Sequence, residues 1–193
     1  MRTPRLILLD VHPVLFYRPG DRLTLSELSA ARLDGHVVEV GEGYMPCDTV
    51  EGVGARAVSL SPLMPAGTAL SGVSAAWVHG AGDLPPAVHH VTRISRSRQR
   101  VMVSARVVHH ERLLAQNEVQ SISGVWVQTP VAAAVTLLFG SARSREDARW
   151  LRALVEVSPG LIDDVRAQVL PLRRRPGARH AKRMLDAWPV RRS

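Results

Sequence analysis

The stretch Thr24-Leu25-Ser26-Glu27-Leu28-Ser29-Ala30-Ala31-Arg32-Leu33-Asp34-Gly35, then His36, then Val37-Val38-Glu39-Val40-Gly41-Glu42-Gly43-Tyr44-Met45-Pro46, decides the fold of the first part of the chain. Thr24 and Glu27 have the spacing of a capping box, in which the hydroxyl accepts from the amide three residues on and the carboxylate reaches back. Leu23 and Leu28 are placed as a hydrophobic staple. Leu25, Leu28 and Leu33 keep one face apolar, and Asp34-Gly35 closes a short helix. The runs Val37–Val40 and Tyr44–Pro46 flank Gly41-Glu42-Gly43, whose glycines supply the positive φ angles of a tight hairpin. A helix followed by a two-stranded hairpin is the back half of a winged helix-turn-helix. The helices that should precede it have little room, because Pro4, Pro13, Pro19 and Gly20 interrupt the start. Leu6–Leu9 and Val14–Tyr17 read there as short extended segments. The sequence therefore predicts a degenerate, truncated winged-helix unit over residues 1–52.

Outward from that unit, residues 53–193 form a second predicted domain. Ala55–Leu63 and Ser71–His79 read as helices separated by Pro62, Pro65 and Gly67. Val88–Ile94, Val101–His110 and Val119–Gln128 are dense in β-branched residues and predict a small antiparallel sheet. Pro130 opens a helix that is apolar almost all round to Leu138 and so is buried. Ser144 caps another helix to about Val157, and two more cover roughly 160–170 and 177–187. The expected fold class is α+β: a degenerate winged unit packed on a C-terminal α/β domain of one small sheet and several helices.

The chain has 193 residues, roughly 1.3 times the ~150 of a typical domain, which suits one domain with a small appendage. Its hydrophobic fraction of 46% excludes general disorder. The longest apolar run, Val131 to Phe139, falls far short of the ~20 residues that span a bilayer, so no membrane role is expected. Leu6–Leu9 is too short for the core of a signal peptide. A lone cysteine, Cys47, precludes an internal disulfide and suits a reducing, cytoplasmic setting.

Net charge is +8, with 25 basic side chains of which only Lys182 is a lysine. Residues 1–90 carry 6 basic and 9 acidic groups, net −3, while residues 91–193 carry 19 and 8, net +11. Such an asymmetry points to an anionic partner for the second half. Arg93, Arg96, Arg98 and Arg100, set among Ser95 and Ser97, can follow a phosphate backbone. Arg173, Arg174 and Arg175 begin a second cluster that continues with Arg179, Lys182 and Arg183 and ends at Arg191 and Arg192. With Trp188 the only aromatic near it, stacking on single-stranded bases is not favoured. The first 50 residues argue the other way. Ser26, Ser29 and Arg32 can face a groove, but Glu27 and Asp34 flank them, and Glu39 and Glu42 put like charge against phosphate. Two readings stay open: DNA binding, and a protein-interaction module that pairs as a homodimer or meets an acidic partner.

Catalytic patterns are weak, and no enzyme activity is expected. His89-His90 and His109-His110 attract attention as metal ligands, yet neighbours in a strand point to opposite faces. One histidine from each strand would have to meet across the sheet, with a carboxylate such as Glu111 beside them. Asp163-Asp164 suits the first turn of a helix, where acids complement the dipole. No glycine-rich phosphate loop, nucleophile elbow or paired Cys/His spacing occurs, and no cofactor is implied.

The string Tyr17-Arg18-Pro19-Gly20-Asp21-Arg22-Leu23-Thr24 through Leu28, with Leu33-Asp34-Gly35, Gly43-Tyr44-Met45-Pro46 and Leu70-Ser71-Gly72-Val73-Ser74-Ala75-Ala76-Trp77-Val78-His79-Gly80, resembles the short actinobacterial members of the AbiEi-type antitoxin family of type IV toxin–antitoxin systems. The resemblance runs from about Leu6 to Trp188. It implies an N-terminal winged helix that binds its own promoter and a C-terminal α/β domain linked to antitoxin activity. The implied counterpart is a nucleotidyltransferase-like toxin, opposed without stable binding. By position, Leu25–Leu33 would be the recognition helix and Val37–Met45 the wing, while His79 matches a family histidine with a packing and hydrogen-bonding role near Trp77. One stretch departs. Where relatives read Val-Thr-x-Pro-x-Arg-Thr-Ala-x-Asp-Leu-Ala, this chain has Val127-Gln128-Thr129-Pro130-Val131-Ala132-Ala133-Ala134-Val135-Thr136-Leu137-Leu138. Ala132 and Thr136 replace an arginine and an aspartate one helical turn apart, and losing both together leaves no unpaired charge.

Overall fold

The structure is a computed structural model that describes residues 16–96, 104–171 and 176–188. Helix α1, Leu25–Leu33, starts at the expected capping box: Thr24 Oγ1 accepts from Glu27 N–H (3.2 Å), and Glu27 Oε2 accepts from Thr24 N–H (2.7 Å). Strands β1, Val37–Val40, and β2, Gly43–Pro46, form the expected antiparallel hairpin. Tyr17 adds a bridge to its outer edge by exchanging two 2.8 Å backbone bonds with Tyr44. Helix α2, Val53–Leu60, then begins slightly before its predicted start and tightens into a 3₁₀ turn at Ser61–Leu63.

The body of the molecule is a five-stranded sheet with helices on it. Strand β3, Thr68–Leu70, leads through Ser71 into α3, Gly72–Val78; β4 is His89–Arg93 and β5 is Val107–Leu113. Then β6, Val119–Ile122, and β7, Val125–Gln128, lead into α4, Pro130–Gly140. The remaining helices are α5, Arg145–Val157, α6, Leu161–Val169, and α7, Ala178–Asp186. Strand order is β5-β4-β3-β7-β6.

This sheet corrects the antiparallel expectation: it is mixed. β3 pairs antiparallel with β4 but parallel with β7, and β4 pairs parallel with β5. The reason lies in the connections. The link between β4 and β5 is long enough to return to the start of the sheet, so β5 runs alongside β4 rather than folding back on it. Two further corrections are local. Val119–Gln128 is not one strand but a hairpin, turned at Ser123 (φ 48°) and Gly124 (φ 80°), the paired positive angles that suit a two-residue turn. The second predicted strand sits later than expected, at Val107–Leu113, and the expected residues 101–103 lie outside the described ones.

β3 and β7 lie side by side and parallel, so α3 and α4 leave the same end of the sheet and pack together. Both helices are rich in small buried residues: Ala75 and Ala76 on one, Ala132, Ala133 and Ala134 on the other. Short side chains let the helices approach closely. Trp77, Leu137, Leu138, Leu151 and Leu154 fill the core around them. Among the described residues, no helix is long and apolar enough to cross a membrane.

Candidate functional site

The predicted recognition helix presents Ser26 and Arg32 to solvent, while Ser29 is half-buried. Only Leu28 of α1 is buried, against Val37 and Tyr44. Glu27 is exposed, and its capping bonds to Thr24 hold its carboxyl below the usual carboxylate range. The Tyr17–Arg22 string builds the base of this unit. Arg18 donates from Nη2 to the Val58 carbonyl (3.1 Å) and Ser61 Oγ (2.8 Å), tying the chain ahead of α1 to the end of α2. Gly20, at φ 91°, makes the turn that precedes the cap.

The hairpin does not stand free as a wing. Its tip is pressed against the body at Gly41, where a Cβ would lie 2.2 Å from Ser59 Oγ, and against the chain ahead of α1 at Gly43, where one would lie 2.4 Å from Phe16 Cε1 and 2.8 Å from the Tyr17 carbonyl. Glycine is needed at both places for close approach. Between them, Glu42 takes a bidentate bond from Arg106, with Nη1 donating to Oε2 at 2.9 Å and Nη2 to Oε1. Glu42 also holds the Arg106 guanidinium above its ordinary pKa, first by that hydrogen bond and then by its charge. The tip acid that argued against phosphate is thus neutralised from within the chain. Glu39 remains exposed.

The arginine segment divides. Arg93 is half-buried and occupied: Nη1 donates to Glu111 Oε2 (3.3 Å), and Nη2 donates to the carbonyls of Ser95 and Arg96 (3.2 Å each). It shapes the loop base rather than meeting a ligand. Arg96 is exposed and has no ion pair among the described residues. Arg98, Arg100, Arg173, Arg174 and Arg175 lie outside the described residues.

Of the four strand histidines, two meet. His90 Nδ1 and His110 Nε2 are 3.3 Å apart, with ring centroids at 5.0 Å. Parallel pairing of β4 and β5 places Thr92 opposite His110, two residues on from His90, so the two imidazoles fall on the same face. Burial, then the neighbouring His110, pushes the His90 pKa down to about 4; burial also lowers that of His110. His89 points into the core, 2% exposed, with Nδ1 3.4 Å from Ser74 Oγ. Glu111, the carboxylate expected to join them, is held by Arg93 instead. Among the described residues no group of three or more histidines, cysteines or acids is set to hold a metal ion.

A polar seam lies beside these histidines. Gly72 N–H donates to Gln128 Oε1 (2.9 Å), Gln128 Nε2 donates to Thr136 Oγ1 (3.1 Å), and Thr136 Oγ1 donates to the Ala132 carbonyl (2.9 Å). His79 Nε2 donates to the Gln128 carbonyl (2.7 Å), so one residue of β7 binds both ends of α3. Of the departing positions, Ala132 is therefore buried and Thr136 half-buried against the seam. A Cβ on Gly72 would lie 3.6 Å from His90 Nδ1 and 3.7 Å from Thr136 Cγ2, which places Thr136 next to the histidine pair. The seam is satisfied internally, and no acid–base–nucleophile set converges on it. Arg56 is a further residue that the sequence reading missed: its guanidinium stacks on Trp77 at 5.0 Å and donates to the Trp77 and Gly82 carbonyls (2.8 and 2.9 Å).

No protein-family model matches the chain, and no curated protein matches it.

Proposed function

We propose that the protein is a non-enzymatic, cytoplasmic DNA-binding regulator of the AbiEi antitoxin type, docking mainly through phosphate contacts from the arginine link between β4 and β5. The observation that carries this reading is the bidentate Arg106–Glu42 pair. It neutralises the acid at the hairpin tip and ties that tip to Arg106, the residue before β5, on the chain segment whose sequence carries Arg96, Arg98 and Arg100. Backbone contacts of this kind position a protein on DNA without reading sequence. Base reading falls to Ser26, Ser29 and Arg32 on α1. In this reading a winged-helix-like unit (residues 1–52) sits on an α/β domain (residues 53–193), the DNA is the protein's own promoter, and the counterpart is a nucleotidyltransferase-like toxin.

Fluorescence anisotropy with the duplex upstream of its own coding sequence tests this. The expected result is binding that weakens with salt at a log–log slope of about −0.9 per phosphate contact, and tighter than to a scrambled duplex. Arg96→Glu should weaken both duplexes alike and reduce that slope. No binding at low salt, or no preference for the native duplex, sinks the regulatory reading. The second reading, a protein-interaction module, is favoured by one observation: α1 leaves Leu25 (58%) and Leu33 (81%) exposed. In that case sedimentation should show a homodimer, or a complex with an acidic partner, that dissociates as salt screens it.

A further inference from the structure

The groove between α6 and α7 is a cavity of about 320 Å³ with an apolar floor and a cationic rim. Val169 and Leu185 form the floor, and Leu170 stands at its edge with 61% of its surface exposed. Arg179 and Lys182 project along one side and make no ion pair among the described residues; the single acid at the lip is Asp186. The walls are held by Arg166, whose Nη1 donates to Asp163 Oδ1 (2.9 Å) and whose Nη2 donates to the carbonyls of Leu185 (2.9 Å) and Trp188 (2.6 Å). That one side chain is used up in fixing α7 against α6. The cations left over are Arg179 and Lys182.

From this juxtaposition of an apolar floor and two unpaired cations we infer that the α6–α7 groove docks an acidic amphipathic helix from a partner protein. Apolar anchors at helical spacing would fill the floor over Val169, Leu170 and Leu185, and flanking carboxylates would meet Arg179 and Lys182. Each wall is a 9-residue helix, roughly 13 Å long, which accommodates about two turns of a partner. Charge selects this occupant over the alternatives. The chain's own segments outside the described residues are net basic in sequence, with Arg173–Arg175 between α6 and α7, Arg191 and Arg192 after α7, and Arg2 and Arg5 near the start, so they offer the groove no surplus of acid. A phosphate backbone satisfies the cations but brings nothing apolar for the floor. This surface lies on other elements than α1 and the β4–β5 link, so it goes beyond the DNA-binding reading.

The test uses the full chain and a fluorescein-labelled synthetic peptide of about 18 residues, long enough to be helical, with leucines at i, i+4 and i+7 and glutamates and alanines elsewhere. Saturable binding at low salt with Kd on the order of 10 µM is expected, with no binding of the same peptide carrying lysine for glutamate. Arg179→Glu with Lys182→Glu should weaken it by roughly tenfold or more, and Leu170→Asp should weaken it separately. The milder pair Arg179→Gln with Lys182→Gln should give an intermediate loss, and unchanged circular dichroism confirms that each variant folds. Arg96→Glu should leave peptide binding intact while weakening duplex DNA, so the two surfaces fail independently. Four results overturn the proposal: no saturable binding, equal binding of the lysine peptide, binding indifferent to the charge reversal, or displacement of the peptide by duplex DNA whose own binding is lost in the same variant.

Discussion

The helix–hairpin unit and the sheet body are held together by different means. In the first, Leu28, Val37 and Tyr44 are the buried apolar residues, with Tyr17, Leu23 and Ala31 packed around them. In the second, more than two dozen buried side chains form one continuous core, to which Phe16, Val40 and Met45 of the N-terminal unit also belong. The separate cluster of three stabilises by only a few kcal/mol before conformational entropy is subtracted, and the unit's other buried apolar residues, Phe16, Val40 and Met45, pack into the body's core instead. The small unit therefore keeps its shape through local devices and attachments: a capping box on α1, close glycine contacts at Gly41 and Gly43, and the Arg18 and Arg106 hydrogen bonds. Stability resides in the body, and the small unit offers exposed polar and charged surface.

The largest expected effect comes from cutting into the body. Trp77, on α3, is fully buried with the Arg56 guanidinium over its ring, so Trp77→Ala should cost about 3–5 kcal/mol. For a chain of this length that lowers Tm by roughly 6–20 °C, readable by differential scanning fluorimetry. Loss of Tm with the two regions unfolding together would show one cooperative unit. A loss confined to the body, with hydrogen exchange in α1 unchanged, would break the claim that the small unit depends on it.

Next is the packing inside the small unit. Gly43→Ala places a methyl against the Phe16 ring and the Tyr17 carbonyl, and the backbone oxygen cannot move aside. A cost of about 1–3 kcal/mol is expected, felt mainly as faster hydrogen exchange over residues 37–46. The same substitution at Gly124, where nothing lies within 4 Å, tests backbone strain without crowding and should cost less.

The small unit was the more legible of the two, for the same reason that it is the less stable. Its devices are local in sequence: Thr24 to Glu27 is one helical turn, and Gly41-Glu42-Gly43 is one hairpin loop. The body is defined by pairings between distant residues. Thr68–Leu70 is too short to show alternation and is a strand only because β4 and β7 flank it. The parallel run of β5 beside β4 needs a long connection, and length permits that direction without encoding it. The candidate site divides along the same line. The requirement that His89-His90 and His109-His110 meet across strands was readable, and His90 with His110 fulfils it. That Arg93 would take Glu111 for itself was not, since nothing in either residue's neighbourhood signals a partner 18 positions away.

Acidification should separate the regions further. His79, His89, His90 and His110 all lie in the body, and burial is the first cause of a lowered pKa for each. In the unfolded chain they titrate near 6.5. Between that value and the folded one, the unfolded state binds more protons, so the stability is fully present above about pH 6.5 and is lost as pH falls. For His90 the window runs down to about 4. After allowance for its partial exposure, that residue alone is worth on the order of 1–2 kcal/mol across the window. Tm measured from pH 7.5 to 4 should fall, and His90→Gln should flatten the fall. An unaltered pH profile in that variant would show that the histidine pair is open to solvent.

The smallest effect is expected where the regions touch through charge. Arg106 and Glu42 form a bidentate pair, but the Arg106 side chain is 56% exposed, so the pair contributes about 0–1 kcal/mol. Glu42→Gln should leave Tm within a few degrees of the parent. Its consequence is electrostatic: it frees Arg106 and removes an acid from the hairpin tip. Under the proposed mode of docking, a phosphate takes the place that Glu42 vacates, so Glu42→Gln should tighten duplex binding severalfold and steepen its salt dependence by about one contact. If affinity and slope are unchanged, Arg106 and the hairpin tip do not face the duplex. The arginine link would then have to engage DNA from its Arg96 end alone, with the N-terminal unit turned away.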